Sequence, residues 1–355
     1  MRELTGELLA RHTTMRVGGP AQRLVIVETT DELVDAVREV DDADEPLLIV
    51  GGGSNLVIGD EGFEGTVVLV ETSGIDVLSL DDCSGASIRI AAGEPWDGVV
   101  ERAVGEGWSG IEALSGIPGS TGATPIQNVG AYGQEVAQTI AQVRVWDRET
   151  AQVRTIAAAD CGFGYRHSLF KSAAGRHVVL DVTFQLRLGT LSQPVAYADL
   201  ARQLGLELGE RAPLADAREA VLAQRRLRGM VLDREDHDTW SCGSFFTNPL
   251  LSEDAFAALT ARAAAAGVGE PPRFPTSDGQ VKTSAAWLIE RSGFGKGFGL
   301  PGPAALSTKH TLAVTNRGGA HATDVLALAR QVRDGVHHVF GVTLVNEPVV
   351  VGDGL

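Results

Sequence analysis

An apolar run, Leu47–Val50, delivers the chain directly into Gly51-Gly52-Gly53-Ser54-Asn55. Four apolar residues bounded by turn formers read as a buried strand. Upstream, Leu24–Val27 is a second such run. Thr29 stands three residues before Glu32, a capping-box pattern. Leu33, Val37 and Val40 then recur at helical spacing, which predicts a helix over 31–41. Asp41–Pro46 ends it, and Thr66–Val70 is a third strand-like run. The result is a β-α-β unit with a glycine turn at a strand's carboxyl end. Glycines there leave backbone N–H groups open to an anion, with no side chain in the way. Ser54 and Asn55 add side-chain hydrogen bonds. The spacing lacks GxGxxG, so the common dinucleotide fingerprint is excluded. On local evidence the run is equally an anion cradle or a tight turn.

The middle of the chain, about 78–190, reads as a second α/β region, with strands at Ile88–Ala91, Gln142–Trp146 and Val178–Leu188. Gly116–Gly133 is loop-like. Within it, Gly116-Ile117-Pro118-Gly119-Ser120-Thr121-Gly122-Ala123 is a second loop able to present consecutive N–H groups to a pyrophosphate. Tyr132, in Asn128-Val129-Gly130-Ala131-Tyr132-Gly133, could stack or hydrogen-bond at a cofactor. Two such loops in adjacent domains suit one long dinucleotide lying between them. Residues 213–228 are an Arg-rich helix. A third region starts near 231, with a helix near 322–338 and an apolar, strand-like end, Phe340–Val351.

The chain has 355 residues, which implies two or three domains. The net charge of −16 argues against nucleic acid or an anionic membrane as partner. Any anionic ligand must be held by local Arg, Lys or N–H groups against that field. No apolar run reaches the length of a membrane span. The start, MRELTGELLA, lacks the basic-then-apolar order of a signal peptide. Cys83, Cys161 and Cys242 are far apart and odd in number, which leaves neither a zinc nor a disulfide pattern.

Three further segments carry chemistry. Gly164-Tyr165-Arg166-His167-Ser168 sets an Arg, a fixed fork of donors for a carboxylate, beside an aromatic ring. Cys242-Gly243-Ser244-Phe245-Phe246-Thr247-Asn248-Pro249 has Ser244 without an adjacent His and without GxSxG, so it is no esterase elbow. Asn346-Glu347-Pro348 puts a carboxylate in an apolar stretch, costly unless paired. On local evidence the first reads sooner as a surface Arg in a loop, the second sooner as a turn ahead of a packed Phe pair, and the third equally as an edge-strand Glu in water. Gly293-Phe294-Gly295-Lys296-Gly297 has no strand leading into it and no Walker spacing, and reads as a turn.

Taken together, GGGSN, SGIPGSTGATPIQNVGAYGQE, FGYRHSLF, GSFFTNP, SDGQVKTSAAWLIERSGFGKG and the closing LVNEP follow one another in this order. From about residue 11 to 350 the chain resembles the UDP-N-acetylenolpyruvoylglucosamine reductases (UDP-N-acetylmuramate dehydrogenases, the MurB family). The resemblance implies an α+β, α/β architecture. It comprises a two-part FAD-binding fold like that of vanillyl-alcohol oxidase, over 1–72 and 73–228, and an α/β substrate-binding domain over 229–347. Residues 348–355 are expected to return to the first part. The resemblance assigns Gly51, Gly52, Gly53, Ser54 and Asn55, with Ile117, Pro118, Gly119, Ser120, Thr121, Gly122 and Ala123, to the FAD pyrophosphate. It sets Gln127, Asn128 and Tyr132 near the cofactor.

Arg166, Ser244 and Glu347 match the family's catalytic trio. Tyr197 resembles the substrate-closing tyrosine of the type I members. Tyr165, Arg228, Asn248, Phe274, Gln280 and Lys282 join it as expected substrate residues. Two positions depart from the family pattern. Phe274 stands where many relatives have Tyr, which leaves stacking but no hydroxyl, and Arg228-Gly229-Met230 stands where many have Lys-Leu-Pro.

The resemblance further implies a cytoplasmic monomer with FAD and NADPH as cofactors and no metal, acting on the enolpyruvyl ether of a UDP-sugar. NADPH would reduce the flavin, and the reduced flavin would deliver hydride to the enolpyruvyl terminal carbon. Two rivals stand beside it: an oxidase of the same fold with covalent flavin, and a UDP-sugar-binding regulator without redox chemistry. Neither cofactor loop contains the His or Cys a covalent flavin needs.

Overall fold

The computed structural model describes residues 1–276, 279–352 and 354. They form two compact units. The first comprises Met1–Glu7, Ala21–Gly53 and Phe63–Val231, and the second Leu8–Pro20, Ser54–Gly62 and Leu232–Leu355.

The first unit has two sheets. One is four-stranded, in the order Arg2–Leu4, Ala21–Val27, Phe63–Val70, Leu47–Val50. Its last three strands are parallel, with Leu24 opposite Val67 and Val50 opposite Leu69. Parallel strands must be joined by crossovers, and the helix Thr30–Asp42 is one of them. Its start is the one the sequence predicts: the Thr29 hydroxyl accepts from the Glu32 N–H at 3.2 Å, a cap worth about 1 kcal/mol. Leu33, Ala36, Val37 and Val40 form its buried face.

The second sheet is antiparallel. Its order is Gln152–Ala157, Ile140–Asp147, His177–Leu188, Gly85–Ala91, Ile75–Asp81, with Trp108–Ser109 paired to the end of His177–Leu188. Both edge strands are mostly exposed, so they lack the burial pattern that marks the inner strands. The core of this unit runs from Val25 to Leu186 and includes the Trp96–Phe184 ring pair, 5.6 Å between centroids.

The segment Gly116–Gly133 is not plain loop. It carries a short 3-10 turn at Thr121–Ala123, a helical turn at Thr124–Gln127 and the first arm of a small hairpin at Gly130–Ala131. Pro125 near the start of the turn and left-handed Asn128 at its end bound it.

The second unit is knitted by its early segments. The Asn316 carboxamide donates to the Met15 and Arg16 carbonyls at 3.1 and 3.2 Å and accepts from Gly318 and Ala320 N–H. Asp60 caps the helix Ala322–Phe340, accepting from Ala322 N at 2.7 Å and Thr323 N at 3.0 Å. The apolar stretch 340–351, read above as one strand, is divided. Phe340 is the buried last position of the helix, Gly341 turns left-handed at φ +68°, and only Val349–Val351 join a ladder, in parallel with Leu56–Ile58. Pro348 has no N–H to donate, so the ladder starts after it. Among the described residues no helix is long and apolar enough to cross a membrane, and no cluster of three potential metal ligands exists.

Asp147 is the most heavily bonded carboxylate of the first unit. Its side chain is fully buried and accepts from Arg176 Nε at 3.1 Å and Nη2 at 2.9 Å, Arg154 Nη1 at 3.0 Å and the Glu149 N–H at 3.2 Å. The Arg176 guanidinium, against the opposing effect of burial, holds its carboxyl well below the usual range. A depressed carboxylate stabilises the fold above its unfolded pKa of about 4, and the stabilisation is lost as pH falls through the folded value. Asp147→Asn is therefore expected to melt earlier at neutral pH, with the difference from wild type shrinking below about pH 4. An unchanged difference across parallel acid melts would contradict the assignment. Burial also pushes the Cys161 and Cys242 thiols up, to about 11 and about 12. Only Cys83 is exposed, so Ellman's reagent should titrate one thiol in the native protein and all three after denaturation.

Candidate active site

The strand Leu47–Val50 ends at the glycine run. A Cβ on Gly51 would lie 2.1 Å from Ser120 Oγ, and one on Gly52 would lie 2.6 Å from Gly119 Cα. Gly51–Gly53 of the first loop and Gly119–Ser120 of the second therefore meet at close quarters within the first unit. Only glycine permits that approach, and Gly53 completes the turn at φ +59°. The second loop is anchored from behind. Gly116 N donates to Asp97 Oδ1 at 2.6 Å, Thr121 N to Glu94 O at 2.9 Å and Gly122 N to Ala92 O at 2.8 Å. Asp97 is in turn gripped by Arg218 at 2.7 and 3.0 Å. Donors at 116, 121 and 122 are thus committed, which narrows N–H presentation to the stretch Ile117–Ser120, where Pro118 has none. Open glycine backbone at Gly51–Gly53 and Gly119 is what a flavin dinucleotide's pyrophosphate needs for close approach, so the residues fit that group.

Next to this loop lies a set of strained positions. Among the described non-glycine residues with positive φ are Asn128 at +46°, Tyr132 at +50° and Arg166 at +53°. Asn tolerates that region; Tyr and Arg adopt it only when tertiary contacts hold them. Those contacts are present. Arg166 sits in a turn closed by reciprocal Gly164–His167 backbone bonds of 3.0 and 3.2 Å. Its Nη2 donates to Gly130 O at 3.0 Å, and its guanidinium lies 5.5 Å from the Tyr165 ring centroid. Asn128 Nδ2 donates to Glu135 Oε2 and to Gly164 O, both at 2.9 Å, and Asn128 Oδ1 accepts from Ala137 N at 3.1 Å. Lys171 Nζ joins Gln127 Oε1 at 2.9 Å to Arg166 O at 3.0 Å. Gln127, Asn128, Tyr165 and Arg166 are therefore one bonded cluster.

Tyr132 and Tyr197, assigned above to cofactor and substrate respectively, touch each other edge to face at 5.4 Å. Tyr197 precedes the helix Ala198–Leu204 and is 42% exposed. Arg228 pairs with Asp199 at 3.2 Å. Burial raises the Tyr132 pKa, opposed by Arg225 and Arg228. Sequence reasoning missed Arg225. Burial lowers its pKa to about 10, its Nη2 donates to Met230 O at 2.7 Å, and its buried Nε has no hydrogen-bond partner. No local signal distinguishes it from the other arginines of its helix.

In the second unit, Ser244 and Glu347 lie on neighbouring extended segments. Thr247 N donates to Val345 O at 3.0 Å and Glu347 N to Phe245 O at 2.9 Å, around the antiparallel pair Phe246–Asn346. Arg166 belongs to the first unit. Asn248 Oδ1 accepts from Ala285 N at 3.0 Å, at the start of the helix Ala285–Arg291. Phe274 is half exposed and lies directly across a ladder from Lys282. Gln280 O accepts from Thr276 N at 3.1 Å.

Residues 21–156 match the FAD binding domain family and residues 235–351 the C-terminal domain of UDP-N-acetylenolpyruvoylglucosamine reductase. The chain is 58% identical to the UDP-N-acetylenolpyruvoylglucosamine reductase of Thermobifida fusca, covering 97% of this chain and 96% of that one. It is 50% identical to that of Mycobacterium tuberculosis, covering 97% and 94%. The crystal structure of the Thermus caldophilus enzyme superposes with a TM-score of 0.66 at 25% identity, over 99% of this chain and 98% of that one.

The apposition of the two loops yields a test. Gly52→Ala forces a methyl into the Gly119 backbone, so the second loop must shift. FAD affinity should fall by roughly tenfold or more, because backbone donors act only at hydrogen-bond distance. Flavin absorbance of the purified variant and FAD titration of its apoprotein measure this. Full flavin content at wild-type affinity would remove the loops from the cofactor site.

Proposed function

The chain belongs to the UDP-N-acetylenolpyruvoylglucosamine reductase family, and we propose that it is a cytoplasmic FAD enzyme. In this reading it uses NADPH to reduce the enolpyruvyl ether of a UDP-sugar to UDP-N-acetylmuramate. The observation that carries the reading is the antiparallel pairing of 245–247 with 345–347, segments whose bonded residues Thr247 and Val345 are 98 apart in sequence. It supports a hydroxyl, Ser244, and a carboxylate, Glu347, working as neighbours. FAD, held by the Gly51–Gly53 and Ile117–Ser120 backbone, supplies hydride transfer from NADPH to the terminal enolpyruvyl carbon.

The protein's own residues do the rest. Hydride addition leaves negative charge on the carbon that bears the carboxylate, as an enolate-like dianion. Arg166 offers a fixed guanidinium to that charge. Ser244 gives that carboxylate-bearing carbon its proton; a hydroxyl is a weak acid, but the dianion is a strong base. Glu347 orients this donor. Arg225, Arg228 and Lys282 offer local positive charge to the substrate phosphates, against a net charge of −16. Tyr197, exposed beside Tyr132, closes over the sugar nucleotide, and Phe274 stacks on it without a hydroxyl contact.

Anaerobic stopped-flow separates the steps. NADPH should bleach the flavin of Ser244→Ala at the wild-type rate. Reoxidation by the enolpyruvyl UDP-sugar should slow by about 10²–10⁴-fold, the usual worth of a positioned acid. Slowed bleaching with normal reoxidation would move Ser244 to the nicotinamide site. Arg166→Lys keeps the charge but loses the bidentate fork. It should bind FAD and accept hydride normally yet reduce substrate slowly, and wild-type turnover would remove Arg166 from this role.

A further inference from the structure

Asn55 is assigned by resemblance to the cofactor, but its side chain points to other work. Both backbone groups of Glu347 are taken. Its N–H donates to Phe245 O at 2.9 Å, and its carbonyl accepts from Asn55 Nδ2 at 3.3 Å. The Asn55 carbonyl accepts from Val349 N at 2.9 Å. From there the parallel ladder Leu56–Ile58 with Val349–Val351 continues. Pro348 interrupts the donors of the terminal segment, and the Asn55 carboxamide extends the contact one rung past the strand, onto the residue that carries the acid. Asn346 Nδ2 closes the same turn on Pro348 O at 2.8 Å.

We infer that Asn55 is a positioning residue for Glu347. It fixes the backbone of the carboxylate from one side while Phe245, next to Ser244, fixes it from the other. The inference rests on the reading of Glu347 as the residue that orients the proton donor. It gives Asn55 an effect on the second half-reaction instead of on flavin affinity.

Asn55→Ala and Asn55→Asp, both lacking the amide donor, test it in the flavin-loaded enzyme. Flavin content and bleaching by NADPH should stay at wild-type values. The limiting rate of reoxidation by the enolpyruvyl UDP-sugar should fall about tenfold, the worth of roughly one net hydrogen bond. The substrate concentration at half-saturation should not change. In a Glu347→Gln background the same substitutions should slow reoxidation no further. Hydrogen exchange in peptides covering 345–351 should quicken in both variants, whatever their activity. Loss of FAD with normal limiting rates, or an undiminished effect in the Glu347→Gln background, would overturn the inference alone. Wild-type reoxidation by Glu347→Gln itself would overturn the reading of Glu347 and the inference with it.

Discussion

Two loops of the first unit meet where the glycine run has no room for a side chain, and the arrangement of the first unit around its site follows from that contact. Gly51 and Gly52 reach Ser120 and Gly119 because the parallel strand Leu47–Val50 aims them there. Gly122 in turn packs on Ala92, where an added Cβ would lie 2.6 Å from the Ala92 methyl. Asp97 and Arg218 then lock the start of the second loop. Each constraint is steric or ionic, and none leaves slack for a larger residue. Close backbone approach is the means by which a net-negative protein can hold a net-negative ligand without many free cations.

The strained residues stand just beyond this contact. Asn128, Tyr132 and Arg166 keep left-handed backbones that cost of order 1–3 kcal/mol each outside a rigid frame. The frame is the bond network from Glu135 through Asn128 to Gly164, with Lys171 beneath it. Arg166 is thereby pre-set before any ligand arrives, and pre-set charge is what stabilises a transient anion best.

Periodicity made the helix Thr30–Asp42 and the inner strands legible, because one face of each is buried. It failed for Ile75–Asp81 and Gln152–Ala157, whose edge positions are mostly exposed. It over-extended the terminal strand, because Phe340 belongs to a helix and Pro348 removes a donor. Motif order made the candidate residues legible. Their mutual contacts were not, since Tyr132 with Tyr197 and Asn55 with Glu347 are set by tertiary pairing between distant segments. Asn248 shows the same limit: its oxygen has a helix to cap, a role that no motif reveals.

The parallel pairing of Leu56–Ile58 with Val349–Val351 joins residues made early to residues made late. On a ribosome, residues 54–62 must wait for some 290 further residues before their partner strand emerges, as the 292-residue separation of Asn55 and Glu347 records. Such long-range pairing slows folding and leaves strand edges exposed meanwhile. The first unit, complete at Val231, can form its sheets during that wait. Synthesis order therefore makes the clamp on Glu347 one of the last contacts to form, and a chain cut short before residue 345 would lack it altogether.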